Sequence, residues 1–116
     1  MFLKGGAPVK PIDLNVTRAL LAEFLYTFAL AYVVLNVATA KGTSGNSFYG
    51  IAIGFTVLAG AYSVGSISGG VFNPAVAVGL TVLGKSPIAN IWIYLIANFA
   101  GAAVATIVFK FLNPED

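Results

Sequence analysis

The chain has no cysteine and no histidine among its 116 residues. The first absence excludes disulfides and thiolate nucleophiles, and the two together exclude Cys/His metal clusters and imidazole acid–base chemistry. Charge is scarce as well: six Lys or Arg against four Asp or Glu, with 9% of residues charged and a net charge of +2. So weak and scattered a positive charge makes no nucleic-acid footprint, and no nucleic-acid partner is expected. There is no nucleophile–base pair, metal cluster or phosphate loop either, so an enzyme is not expected and no cofactor is implied. What fills the sequence is apolar: 59% of residues are hydrophobic, the mean hydropathy is +0.93, and the charges cluster outside the long apolar runs, Glu23 excepted. The expectation is an all-α integral membrane protein surrounded by lipid.

Three runs are long enough to span a bilayer, since roughly 20 residues rising about 1.5 Å each cover its ~30 Å core. The first runs from about Ala19 to Ala40, the second from about Phe48 to Val64 and the third from about Ile88 to Leu112. Residues 1–18 form a polar arm with Lys4, Pro8, Lys10, Pro11 and Asp13, in which Asp13 or Asn15 is placed to cap the first helix and Arg18 to sit at headgroup level. The arm lacks a small-residue cleavage pattern, so a removable signal peptide is not expected, and the sequon Asn15-Val16-Thr17 lies too close to the membrane to read as a glycosylation site. Residues 113–116 form a short tail.

Small residues mark faces for close helix packing: Gly50 and Gly54 on the second span, and Ala97, Gly101 and Ala105 on the third. Trp92 and Tyr94 read as interfacial anchors at one end of the third span, with Lys110 at the other.

The segment from Ser66 to Leu83 is too short to cross as a further span with its turn, and too apolar to be a solvated loop. A re-entrant segment fits: Ser66, Ser68, Gly69 and Gly70 descend as extended backbone, and Pro74 opens a half-helix that runs to about Leu83, stopped by Gly84 and Pro87. Irregular backbone survives at membrane depth only where it is buried in protein or lines a water-filled cavity, so the segment itself predicts a pore or binding site. The positive end of the half-helix dipole, at Asn73, opposes cations there. The Asn73 amide offers a donor, and the carbonyls of Ser68, Gly69 and Gly70 offer acceptors along one wall, with no Cβ at the glycines to block them. The plainer reading, that Asn73 merely caps a short helix, stands beside it.

Glu23 is the other costly residue, an ionisable group one turn inside the first span with Thr27 four residues on along the same face. Its carboxylate either accepts from unpaired backbone N–H groups of the re-entrant loop or snorkels to the interface. No second titratable group lies in any span, which argues against a proton relay.

These residues resemble the aquaporin and glycerol-facilitator channels, the major intrinsic proteins. The resemblance rests on Ala22-Glu23-Phe24 with Thr27, Gly54-Phe55-Thr56-Val57, the block from Ile67 to Gly79 around Asn73-Pro74-Ala75, and Trp92-Ile93-Tyr94 with Gly101-Ala102. It implies three transmembrane helices plus one re-entrant half-helix, half of an inverted-repeat fold, and a pore for water or small neutral solutes. It further implies that Asn73, with Pro74 and Ala75, meets permeant molecules and that Glu23 braces the loop. Matching places Ile53, Ala61, Gly70 and Val76 at the filter, where many relatives carry an arginine in place of Val76. Members of this family carry two such repeats, so the pore is expected to be completed by a second copy in inverted orientation or by a complementary half-channel. The small faces would then serve copy-to-copy contact. A non-conducting structural subunit and a half-sized transporter are the other readings, the latter short of an ion-binding group. Lys4, Lys10, Arg18 and Lys85 against Lys41 and Lys110 give a mild bias toward a cytoplasmic N-terminus in the cell membrane, without forbidding both orientations.

Overall fold

The computed structural model describes residues 15–84, 86 and 88–114. The arm residues Lys4, Pro8, Lys10, Pro11 and Asp13, together with Lys85, Pro87 and the last two residues of the tail, lie outside the described residues. Helix α1 is Val16–Val34, opened by Asn15, whose side chain accepts from the Arg18 N–H. This is an N-cap in the usual sense, one side-chain oxygen satisfying one of the orphan donors of the first turn. A π-helical turn, Leu35–Thr39, extends α1, giving a continuous apolar span from Val16 to Thr39. Asn36 bonds back to the Tyr32 carbonyl at 2.8 Å within that stretch.

Helix α2 is Tyr49–Ser68, α3 is Pro74–Val82, and α4 is Ile91–Leu112, entered through a single 3-10 turn at Ile88–Asn90. Among the described residues three spans are long and apolar enough to cross a membrane: Val16–Thr39, Tyr49–Ser68 and Ile88–Leu112. The fourth helix is not. With nine residues α3 rises roughly 14 Å, half of a hydrocarbon core.

One boundary, the end of α2, departs from the sequence reading. Ser66 and Ser68 do not descend as extended backbone; they form the last turn of α2, which runs four residues past Val64. The helix continues because its N–H groups keep their partners one turn back, and it stops at Gly69, whose φ of 94° is left-handed and whose N–H closes on the Gly65 carbonyl at 2.8 Å. Between α2 and α3 only residues 69–73 are irregular, and α3 ends with Leu83 as cap and Gly84 at φ 74°.

Packing explains how so short a segment is held. Helix α1 lies against α4 over most of its length and against α2 over less, while α3 leans on α4. The face of α4 toward α1 carries the buried small residues Ala97, Gly101 and Ala105. At Gly101 the approach is closest, since a Cβ there would stand 2.6 Å from the Phe24 carbonyl oxygen and 3.0 Å from the Phe28 nitrogen. The small face of α4 is therefore used inside the chain, which corrects its assignment to a copy-to-copy contact. Gly50 and Gly54 differ: a Cβ at either meets nothing within 4 Å. Val71, Ala77 and Tyr94, with Leu80, form the apolar cluster that seats α3 against α4.

Candidate functional site

The site grows from one carboxylate. Glu23 is wholly buried, and four groups donate to it, two for each oxygen. Oε2 accepts from Ser68 Oγ at 2.5 Å and from the Val71 N–H at 3.1 Å. Oε1 accepts from the Phe72 N–H at 2.8 Å and from Asn98 Nδ2 at 3.1 Å. An ionised carboxylate has about four acceptor positions, so the acceptor demand and the donor supply match. Two costly features, a charge in an apolar span and backbone N–H groups that no helix satisfies, thereby cancel one another. The spacing of the sequence makes this possible: Ser68 is the last residue of α2, and the turn through Gly69 and Gly70 aims the next two N–H groups at α1.

The other side of that turn is pinned from α4. Tyr94 donates its hydroxyl to the Ser68 carbonyl at 2.6 Å, and both residues are buried. Tyr94 is therefore no interfacial anchor, and the Ser68 carbonyl does not face a lumen; each is the other's partner. Trp92 alone of that pair is exposed, at 45%. Asn98 forks its amide between Glu23 and Thr27 Oγ1, the latter at 2.9 Å, so α1, α2, the loop and α4 meet in one hydrogen-bonded knot. Asn98 and Tyr94 were not singled out in the sequence for this role. The available signal was Asn98's position as the one strongly polar side chain between Tyr94 and Thr106.

From the knot the chain turns outward. Phe72 is held at φ 54°, a left-handed conformation that side chains rarely adopt. Its ring is buried against Tyr26, with centroids 5.5 Å apart, and against Gly60, where a Cβ would come within 2.5 Å of the ring. So fixed, Phe72 delivers Asn73 in extended backbone at the start of α3. Asn73 Oδ1 accepts from the Ala75 N–H at 2.8 Å, which leaves the amide N–H₂ turned away from the helix, and the residue is exposed. Pro74 takes the first helical position, where its missing N–H costs nothing. Asn73 therefore does cap its helix, and the cap itself orients the donor.

Of the remaining predicted residues, Gly70 and Ala61 are brought together, a Gly70 Cβ being 3.3 Å from the Ala61 Cα. Ile53 stands eight residues earlier on α2, roughly 12 Å along it, and is half-buried. Ala75 is exposed, and Val76 is 45% exposed on the first turn of α3. An open cleft of about 360 Å³ runs between α1 and α4 beside the start of α3. Its walls are mainly apolar, from Leu30, Val34 and Phe99, and its polar positions are Thr27, Asn73, Asn98 and Thr106.

Three apolar spans with a half-length helix folded back among them, its polar N-terminus tied to a buried carboxylate, define an integral membrane protein with a re-entrant half-helix. The sequence matches the family described as major intrinsic protein over residues 5–115, and the chain belongs to that family. It is 43% identical to Aquaporin Z of Brucella melitensis over 101 residues, covering 82% of this chain and 44% of the relative. It is 35% identical to Probable aquaporin NIP7-1 of Arabidopsis thaliana, covering 84% of this chain and 37% of that one. It is 39% identical to Aquaporin-10 of Milnesium tardigradum, covering 90% and 28% respectively. The chain thus spans less than half the length of these curated relatives.

Proposed function

We propose that the chain forms one half of a passive membrane channel for water and small neutral solutes. The observation that carries this reading is Asn73: its side-chain oxygen is committed to its own helix, so its N–H₂ faces outward at the positive end of α3. A donor with a helix dipole behind it orients a neutral hydrogen-bonding molecule and repels cations, and it does so at a membrane depth where little else competes. Pro74 and Ala75 set that end of the helix, Gly69 and Gly70 supply carbonyls along the approach, and Ile53, Ala61, Gly70 and Val76 form the narrow part. None of these four carries charge, which favours passage of small uncharged solutes as well as water. The names of the relatives, all aquaporins, support the same class.

A second half completes the pore. The cleft beside Asn73 is open on one side, and the chain covers 44% or less of each relative described above. The other half is a second copy in inverted orientation or a complementary half-channel, and the assembly sits in the cell membrane. The test is osmotic shrinkage of liposomes carrying the purified chain, followed by light scattering with water alone and with glycerol as osmolyte. Permeability well above that of empty liposomes is expected, with a severalfold loss in Asn73→Asp. Permeability equal to that of empty liposomes overturns the self-sufficient channel and leaves a non-conducting subunit or a pore that needs a different half.

A further inference from the structure

Asn98 is wholly buried, yet its side-chain oxygen accepts from no described group. Its orientation is forced. Nδ2 donates to both Glu23 Oε1 and Thr27 Oγ1, and turning the amide over would set Oδ1 against the carboxylate oxygen. A buried acceptor left without a donor is a standing cost, which an apolar side chain of the same size would avoid. Packing alone therefore does not account for an amide at this position; what the amide supplies is its donation to Glu23. Among the four donors to that carboxylate, Asn98 is the one from α4, and it shares Oε1 with the N–H of Phe72, the residue immediately before Asn73.

We propose that Asn98 is a positioning residue for Asn73: by fixing the rotation of the Glu23 carboxylate from the α4 side, it fixes Phe72 and hence where the Asn73 donor points. The part of this that concerns selectivity rests on the channel reading above; the part that concerns loop geometry does not. The two oxygens of Glu23 make the difference measurable. Phe72 and Val71 are adjacent, but Phe72 uses the oxygen that Asn98 holds and Val71 uses the one it does not.

The experiment is amide hydrogen exchange resolved by residue, in detergent micelles, on the unaltered chain and on Asn98→Leu. At least a tenfold faster exchange is expected at Phe72, with a smaller change at Val71 and none at Ala29 or Ala31 in α1, which report overall stability. Equal exchange at Phe72 in the two proteins overturns the proposal, as does a uniform increase at every position, which marks a merely structural residue. Should Asn98→Leu fail to fold, Asn98→Ala removes the same donor to Glu23 without adding bulk. It is expected to speed Phe72 exchange severalfold, and no change there overturns the proposal. The same proteins in liposomes are expected to lose discrimination between water and glycerol. If the unaltered chain conducts nothing while the Phe72 effect is present, the self-sufficient channel fails and the positioning role stands.

Discussion

At the scale of single residues, the brace is a matter of counting acceptors. Four donors converge on Glu23, and its two oxygens hold two each. Glu23→Gln replaces one oxygen by an N–H₂ that must face two donors whichever way the amide turns. A loss of about 3 kcal/mol is expected from two broken charge-assisted bonds and the groups left unpaired, read as a lowered unfolding temperature in detergent. Glu23 and Asn73 stood out in the sequence because each is a polar group set in an apolar run. Ser68 and Tyr94 did not show their pairing, because a serine near a helix end and a tyrosine near a membrane edge are at home without one. Which way a side chain points around its helix depends on the neighbouring helix, and spacing along one chain does not carry that.

At the scale of elements, two small-residue pairs that look alike in sequence behave differently. Gly101 is pressed against the α1 backbone, whereas Gly54 borders open space. Gly101→Ala is expected to push α1 and α4 apart and cost about 1–3 kcal/mol, since the contacting atoms are backbone and cannot rotate away. Gly54→Ala is expected to be neutral or to stabilise by up to ~1 kcal/mol through helix propensity. Thermal melts of the two variants side by side distinguish these outcomes. The three long spans were legible from length and hydropathy alone. The end of α2 was not: Gly65, Ser66 and Ser68 have turn-forming character, but tertiary bonds from Tyr94 and to Glu23 hold Ser68 in the last helical turn.

At the scale of the whole molecule, most of the apolar surface faces outward: Tyr62 is 87% exposed, Val82 79% and Phe111 81%. Lipid covers such a surface, and so does another copy, which makes assembly the property to measure. Cross-linking in native membranes, with tags reporting each terminus, is expected to trap pairs of copies in opposite orientations if the second half is the chain itself. Pairs of one orientation only would point to a different complementary half. The fold class was legible because hydropathy is a property of composition; the number of chains around one Asn73 was not, because it depends on surfaces that face away from the chain. The Glu23 brace also sets an order of assembly. Its donors lie 45 to 75 residues further along the chain, so on the ribosome α1 is finished long before they exist. Until then its carboxylate has none of these partners, and an unpaired ionisable group inside a span is costly. The brace is accordingly complete only once α4 has been made, and Asn98 is the last of its donors along the chain.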